Sequence, residues 1–382
     1  MPEGQNMTFG FLLQAAKRLL NPVQYICGDF RRKGEYIMKK SNKFIALFLT
    51  AVLSIAVLAG CGDTGTDTGA PATDDNTPSA SGEEATSTTN DVESETEEPS
   101  TETEELVPVA LDKAAFDALI TSGIVADDAD IAANDWASTV KDAGILRVGG
   151  TRTSFLFSQL DETDDGLRGF DAGLYQLLAY YIFGDASKYE LTQVDSSTRE
   201  SVLQSDQVDI VFATYSITPA RQEVISFAGP YYTSQQAVLI KAGNTEITGI
   251  DSLAGKIVAT QAGSTGPDIL AEFAPEATVQ EFANDIEART ALEQGRVDAY
   301  VTDYTLLLNA MVQNPGVYEI AGDVFGPEDN YGIGLPLDSD GVTFVNDFLT
   351  KIEENGTWAQ LWQITLGDRT GISTAPTAPV IQ

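Results

Sequence analysis

The chain has 382 residues, a formal net charge of -35 and no histidine. This length allows two domains with a sizeable core, and the negative charge excludes nucleic acid as a partner, because nucleic-acid binders need clustered Lys and Arg. Without histidine, and with Cys27 and Cys61 as the only cysteines, zinc sites and Ser-His-Asp or Cys-His catalysis lack their residues, so we expect no metal and no cofactor.

The first recognisable segment begins at Met38. Its lysines, an apolar run from Phe44 to Ala59 and small residues form a secretory signal pattern at 38–60. The apolar run is shorter than the roughly 20 residues of a spanning helix. The sequence "LAGC" at its end resembles the bacterial lipobox, which implies cleavage before Cys61 and a lipid on its thiol. The resemblance places the protein on the extracellular face of the cytoplasmic membrane. Residues 1–37 are interpreted as a start-site artefact, with a longer cytoplasmic signal extension as the alternative.

Two segments separate this signal from the main folded part. Residues 61–108 are rich in Thr, Ser, Glu and Asp and contain no Lys or Arg, which is too polar for a core and typical of an acidic tether. Residues 109–140 show apolar residues at helical spacing, which predicts an N-terminal helical region without an assigned function.

From residue 141 onward, short apolar strands alternate with amphipathic helices. This pattern is typical of α/β construction with parallel strands. The strands "ILRVGG", "YELTQV" and "VDIVFA" form a first set, with a helix at 169–184, and "KIVATQ", "ATVQEF" and "VDAYVT" form a similar second set. Two similar sets predict two lobes.

Extended segments at 237–243 and 330–336 connect the two sets, and the last helices are expected to return to the first lobe. Two strand crossings between α/β lobes are typical of a cleft that closes on a ligand by hinge motion. We therefore predict lobe 1 at 141–238, lobe 2 at 239–331, a return to lobe 1 at 332–370 and a tail at 371–382.

The motifs "GFDAGL", "VDIVFATYSITPAR", "SFAGPYYTSQQAVLI", "DSLAGKIVATQAGST", "GRVDAYVTD" and "YGIGLP" occur in this order. Together they resemble the polar amino-acid family of extracellular solute-binding proteins that feed ABC importers, over residues 144–367. "SSTRESVLQSDQVDIVFATYSI" is especially similar to glutamate-binding lipoproteins of that family. The resemblance implies a two-lobed, type II periplasmic-binding-protein-like fold with the cleft between lobes joined by two hinge strands. It also implies a free amino acid and ABC permease transmembrane subunits as partners, and we expect a monomer.

The position of Arg221 is unusual by local rules. Thr218 and Pro219 predict the start of a helix, so Arg221 falls in a first turn, where the helix dipole disfavours a cation. Alone, it is equally well interpreted as a surface salt-bridge residue. The resemblance implies that Arg221 binds the ligand α-carboxylate, that Ser216 donates to the same carboxylate, and that the Thr214 carbonyl accepts from the α-ammonium.

In lobe 2, the turn "QAGSTG" and the end of the strand "VDAYVT" carry the matching residues. The resemblance implies that Thr265, with Ser264, completes the carboxylate site across the cleft and that Asp303 accepts from the ammonium. Without the resemblance, both positions are interpreted as ordinary helix caps.

The contacts to the ligand side chain are less determined by sequence. Arg152 lies in the turn after the first strand, and the resemblance implies that this position faces the ligand side chain. An arginine there favours glutamate or aspartate as the ligand. The alternative interpretation is that Arg152 is a solvated loop residue, in which case glutamine remains a candidate ligand. Phe155, Phe157 and Tyr215 are candidate walls, and Gln261 stands where some members have lysine. A run of two prolines and a phenylalanine usual in relatives is absent after Arg152.

Three functions compete at this point. The first is a non-enzymatic receptor that delivers an amino acid to an ABC importer. The second is a dehydratase-like enzyme on the same scaffold, which needs a general acid near the ligand carbon. The third is a surface adhesin or sensor displayed on the acidic tether.

Overall fold

The computed structural model describes residues 109–382. The predictions for 1–37, for the signal peptide at 38–60, for lipidation at Cys61 and for the tether at 61–108 lie outside the described residues. Between residues 109 and 382, no helix has the length and apolar character needed to cross a bilayer.

Between residue 109 and β1, three short helices pack on one lobe. They are α1 (Lys113–Thr121), α2 (Asp128–Ala132) and α3 (Asp135–Ala143). The side chains of Asp112 and Asn134 accept hydrogen bonds from backbone N–H groups in the first turns of α1 and α3, which fixes where these helices begin. Phe116 and Trp136 are buried in the same core as the lobe that follows, so this region is a structural part of lobe 1.

Lobe 1 is built around a parallel arrangement of three strands. Its elements are β1 (Leu146–Gly150), β2 (Thr153–Ser154), β3 (Ser158–Asp161), β4 (Gly166–Arg168), α4 (Phe170–Phe183), β5 (Tyr189–Gln193), α5 (Arg199–Gln204), β6 (Ile210–Ser216) and α6 (Pro219–Gln222). β1 pairs in parallel with β5 and with β6. β6 is formed by "IVFATYS", and nearly every residue in it is buried, as expected for a central parallel strand.

Lobe 2 repeats the same design. It contains β8 (Ile257–Gln261), α7 (Gly266–Phe273), β9 (Thr278–Phe282), α8 (Asp285–Glu293), β10 (Ala299–Asp303) and α9 (Tyr304–Gln313), with a single 3₁₀ turn at Ile250–Ser252 before β8. β8 pairs in parallel with β9 and β10.

Two long antiparallel strands join the lobes. β7 (Ser226–Lys241) and β11 (Tyr318–Leu335) pair with each other along most of their length. Near the lobe 1 end β11 also pairs with β6, and near the lobe 2 end β7 also pairs with β10 from Gln236 onward. Together with the parallel strands of both lobes, β7 and β11 form one eight-stranded sheet within residues 109–382, in the order β5-β1-β6-β11-β7-β10-β8-β9. The predicted extended segments at 237–243 and 330–336 fall largely within these two strands.

The chain returns to lobe 1 after β11. Helices α10 (Gly341–Glu354) and α11 (Thr357–Trp362), a π-helical turn at Gln363–Gly367 and the short α12 (Asp368–Thr370) follow. Phe348 and Trp358 lie in the lobe 1 core, and the Trp358 indole N–H donates to the buried carbonyl of Tyr231 at 3.0 Å. The two ends of the described chain therefore complete one lobe, and lobe 2 is an insertion within it.

One element was not anticipated from the sequence. β2, β3 and β4 form a small antiparallel sheet in the turn after β1. These strands have only two to four residues and contain mostly polar side chains, so they lack the periodicity that identifies longer strands.

Candidate ligand cleft

The two lobes enclose a cavity at the carboxyl ends of their parallel strands. It has a volume of about 80 Å³, which suits a small molecule and not a polymer. Loops after β1, β5 and β6 supply one wall, and the β8–α7 turn, α8, β10 and α9 supply the other. The lining includes six of the predicted residues: Thr214, Ser216, Gln261, Ser264, Thr265 and Asp303.

Arg221 lies beside this cavity, behind Ser216. Thr218 accepts a hydrogen bond from the backbone N–H of Arg221, which places the arginine in the first turn of α6 as the sequence predicts. Its buried guanidinium donates from Nη1 to the Ser216 carbonyl at 2.8 Å and from Nη2 to the Gly263 carbonyl at 2.9 Å. Because Gly263 belongs to lobe 2, this arginine bridges the lobes, and its Nε lies 3.4 Å from Glu200.

A second arginine, Arg199, lines the cavity and was not anticipated from the sequence. It is 3% exposed, lies over the Tyr215 ring at 4.1 Å and donates from Nη1 to the Ala213 carbonyl at 2.9 Å. Its Nε has no hydrogen-bond partner among the described residues. Burial, and next the charge of Arg221, lower the pKa of Arg199 to about 10. A buried guanidinium that borders a cavity favours an anion there.

The lobe 2 turn is ordered by its own side chains. Ser264 Oγ donates to the Gln261 carbonyl at 2.7 Å and accepts from the Gly266 N–H at 3.0 Å. The Gln261 amide donates to the Tyr300 hydroxyl at 2.9 Å. Thr265 precedes α7 and its hydroxyl lies 3.4 Å from Asp329 Oδ2. The turn therefore presents hydroxyl groups and the start of a helix to the cavity, a favourable environment for a carboxylate.

Asp303 stands at the centre of a buried polar cluster. It precedes α9 but makes no capping hydrogen bond through its side chain. Instead, its carboxylate accepts from the Tyr331 hydroxyl at 2.7 Å and from the Gln236 amide. Burial, and next the charge of Asp329, raise the pKa of Asp303 to about 8. Its side chain is thus available to the cavity and is not used as a helix cap.

Asp171 is a further buried acid in the lining that was not among the predicted site residues. It accepts from the Tyr231 hydroxyl at 2.7 Å and from the Thr214 N–H at 3.1 Å, and burial raises its pKa to about 7. Thr214 has a positive φ of 42°, so this hydrogen bond holds a strained backbone next to the cavity.

A second contact between lobes lies away from Arg221. Asn309, on α9, is 5% exposed and accepts from the Leu156 N–H at 2.8 Å through its side-chain oxygen. Its amide nitrogen donates to Ser154 Oγ at 3.1 Å. We call this pair of hydrogen bonds the Asn309 clasp. With the bond from Arg221 to Gly263, it holds the lobes together at two places.

Four predicted residues are not brought to the cavity wall. Arg152 points away, donates to the Leu191 carbonyl at 2.9 Å and lines a separate surface depression. The hairpin of β2 and β3 turns its neighbours Thr151 and Thr153 to the cavity instead. Phe155 stacks on Arg369 at 3.8 Å outside the cleft, and Tyr215 is fully buried beneath the two arginines. Phe157 lies in the lobe 1 core.

Between residues 109 and 382, no group of three or more Cys, Asp or Glu side chains is arranged to hold a metal ion. What converges on the cavity is a set of hydroxyls, two buried arginines at or beside the wall of lobe 1 and a buried acid on lobe 2. Such a cleft, between lobes joined by two strands, defines a receptor for a small polar solute.

Comparison with known proteins agrees with this class. Residues 146–366 match the family model described as bacterial extracellular solute-binding proteins, family 3, and the chain belongs to that family. The predicted family membership is confirmed.

Individual relatives fall in the same group. The chain is 31% identical to the ABC transporter glutamine-binding protein GlnH of Bacillus subtilis (strain 168), covering 60% of this chain and 84% of that protein. It is 30% identical to the glutamate-binding protein GluB of Corynebacterium glutamicum, covering 55% and 74%.

Among solved structures, the ancestral amino acid-binding protein AncCDT-1, described as a precursor of cyclohexadienyl dehydratase, matches with a TM-score of 0.54 and 27% identity, covering 60% of this chain and 98% of that one. These likenesses confirm the predicted two-lobed, type II periplasmic-binding-protein-like fold.

Proposed function

We propose that this protein is a non-enzymatic receptor that captures a polar amino acid by lobe closure and delivers it to an ABC importer. The observation that carries the proposal is the arrangement of charge across one small cavity. Arg199 and Arg221 lie at or beside the wall formed by lobe 1, and Asp303 lies on lobe 2. A zwitterion satisfies both sides only when the lobes are closed around it.

The α-carboxylate would bind where Ser216, Thr265 and Arg221 meet. The Arg221 guanidinium donates to the Ser216 carbonyl, so these two residues are in contact. Thr265 directly precedes α7 on the facing lobe. The α-ammonium would bind Asp303, with the Thr214 carbonyl as a second acceptor. These roles agree with the two relatives named above, one of which is called a glutamine-binding protein and the other a glutamate-binding protein.

The side chain of the ligand is proposed to be acidic, as in glutamate or aspartate. Arg152 does not support this, since it is directed away from the cavity. Arg199 does, because its buried guanidinium faces the cavity and forms no ion pair within residues 109–382. A charge-assisted hydrogen bond from such a group is worth about 1.5–3 kcal/mol, enough to discriminate glutamate from glutamine about tenfold or more.

We further propose that Cys61 anchors the protein by a lipid and that residues 61–108 tether the lobes outside the cytoplasmic membrane. These proposals rest on the signal pattern and on the family, whose description names extracellular proteins. The lobes would then remain near the permease transmembrane subunits.

The enzyme alternative is less well supported. Asp303 and Asp171 are the buried acids of the lining with raised pKa values, which a general acid requires. Asp171, however, is held by hydrogen bonds to Tyr231 and Thr214, and Asp303 is explained by the ammonium. Depletion of a bound ligand over time, followed by chromatography, would reveal turnover.

The proposal is tested by calorimetric titration of residues 108–382 with glutamate, aspartate, glutamine and cystine. We expect saturable binding of glutamate or aspartate, abolished by Arg221→Ala. Arg199→Met should weaken glutamate binding at least about tenfold and change glutamine binding by less than about threefold. Both factors are order-of-magnitude values based on the bond energy given above.

Arg369→Met is the matched control, because Arg369 is also a buried arginine stacked on an aromatic ring but lies outside the cavity. It should leave binding unchanged. If no amino acid binds to the folded protein, the receptor proposal fails. If glutamine binds most tightly and Arg199→Met has no effect on glutamate, only the acidic ligand is rejected.

A further inference from the structure

A second carboxylate, Asp329, lies against Asp303 and has no role in the predicted site. It sits on β11, one of the two strands that join the lobes, and is 9% exposed. Its Oδ2 accepts from Ser216 Oγ at 3.1 Å on lobe 1 and lies 3.4 Å from Thr265 Oγ1 on lobe 2. It therefore stands directly behind the hydroxyls that line the cavity.

The side chain of Gln236, on β7, connects the two acids. Its Nε2 donates to Asp303 Oδ1 and lies 3.3 Å from Asp329 Oδ2. One oxygen of each carboxylate therefore lies within hydrogen-bonding reach of the same nitrogen atom. Two ionised carboxylates at this distance repel each other strongly in a buried site, so the stable form of such a pair holds one proton.

The charges facing the pair do not remove this need for a proton. Within residues 109–382 neither Asp303 nor Asp329 forms an ion pair with Lys or Arg. The Tyr331 hydroxyl faces Asp303 from β11, Arg199 lies across the cavity, and Arg221 is directed to Ser216, Gly263 and Glu200. Among the described residues, three other acids line the cavity: Asp171 and Asp195 on lobe 1, and Asp285 on lobe 2, which is paired with Arg289.

A separate observation shows a hydrogen-bond acceptor beside these two acids that is unpaired within residues 109–382. Gln236 is 1% exposed, and its Oε1 has no hydrogen-bond partner among the described residues. A buried acceptor left without a donor costs about 1–3 kcal/mol. An ammonium group that enters beside Asp303 supplies both a positive charge and N–H donors.

We propose that Asp329 is a positioning residue of the ammonium site: its carboxylate favours a proton on Asp303, and the ligand's ammonium displaces that proton to solvent on binding. The inference deepens the proposed receptor function and rests on it. Asp303 contacts the ligand, whereas Asp329 acts through Asp303. Binding of each ligand then releases close to one proton, and affinity rises with pH while the pair is protonated.

The direction of this pH dependence and the pH range over which it occurs follow from the pKa of Asp303. Its pKa is raised to about 8, so the proton is present at pH 6 to 7 and must leave when the ammonium binds. By linkage, the association constant rises about tenfold per pH unit below about pH 7.5 and levels off above about pH 8. Asp329→Asn removes the second charge, so Asp303 ionises at lower pH and the rise in affinity moves to lower pH, while burial still keeps the pKa of Asp303 above its ordinary value.

The experiment is calorimetric titration of residues 108–382 with glutamate and with glutamine, from pH 6 to 8.5, in two buffers of different ionisation enthalpy. We expect about one proton released per ligand in the wild type near pH 6.5 and clearly less in Asp329→Asn. Asp285→Asn is the control for a partly buried acid in the same lining, and it should keep the wild-type slope.

Three results separate the possibilities. If the wild type and Asp329→Asn release equal numbers of protons, the inference is overturned. If the release is lost instead in Asp171→Asn, the proton belongs to Asp171. Binding without any proton release in the wild type also overturns it. If no amino acid binds at any pH, the proposed receptor function itself is wrong. If Asp329→Asn does not fold, Asp329→Glu keeps the charge and should retain the release.

Discussion

The Asn309 clasp gives the sharpest test of how the lobes are held closed. Asn309→Ala removes the acceptor of the Leu156 N–H and the donor to Ser154 Oγ. In the closed form Leu156 is fully buried, so its N–H loses its partner and gains no water. In an open form the same groups are hydrated, so the substitution penalises closure specifically.

The size of the effect follows from these two bonds. Each hydrogen bond contributes about 1 kcal/mol, and a stranded buried N–H costs about 1–3 kcal/mol. A net penalty of about 2 kcal/mol on the closed form weakens ligand binding about 30-fold, because only the closed form makes contacts from both lobes.

The assay is calorimetric titration combined with small-angle scattering. Asn309→Ala should bind about 30-fold more weakly and show a larger radius of gyration at subsaturating ligand. Asn314→Ala is the control, because that side chain bonds only to the Ala310 carbonyl of its own helix. Affinity for Asn309→Ala within threefold of wild type, with the same radius of gyration, would refute the clasp.

Three further predictions concern closure and stability. Gly263→Ala should weaken ligand binding, because φ is +72° and the added Cβ would lie 2.7 Å from the Ser197 backbone of the other lobe. Gly255 has the same φ but open space around it, so Gly255→Ala should lower only the free energy of unfolding. Equal losses of binding in the two variants would contradict this prediction. Trp358→Phe should lower the free energy of unfolding in urea by about 2 kcal/mol, because a buried carbonyl loses its donor. Asp171 keeps its proton up to about pH 7 when folded and only to about pH 4 when unfolded. Its contribution to stability is therefore present below pH 4 and lost as pH rises to 7, and the unfolding free energies of wild type and Asp171→Asn should diverge by about 4 kcal/mol across that range.

Much of the fold could be predicted because its main strands and helices are local signals. β6 is a continuous buried run of apolar and β-branched residues, and the helix expected at 169–184 is found at Phe170–Phe183. The order of these elements was enough to anticipate two lobes and two connecting strands. The small sheet of β2 to β4 could not be anticipated, because pairing of its short polar strands depends on contacts and not on pattern.

The site was predictable only in part, for a similar reason. The residues that precede helices, such as Thr265 and Asp303, are fixed by chain order at the strand ends. The direction of Arg152 depends on the hairpin that follows it, and the direction of Arg199 depends on stacking over Tyr215, which is distant in sequence. Asp329 directly precedes the segment predicted as extended at 330–336 and was not singled out, and its partner Gln236 comes from another strand.

The insertion of lobe 2 into lobe 1 sets an order for folding. β6 ends at Ser216, yet its neighbour β11 begins at Tyr318, so the first lobe cannot complete its sheet while the chain between them is being made. The strands β8, β9 and β10 are close in sequence and can pair early, whereas lobe 1 must also wait for α10 and α11. Contacts of such sequence separation form slowly. During synthesis lobe 2 can therefore form before lobe 1 is complete, and the edge of β6 that pairs with β11 keeps unpaired backbone N–H and C=O groups until β11 has been made.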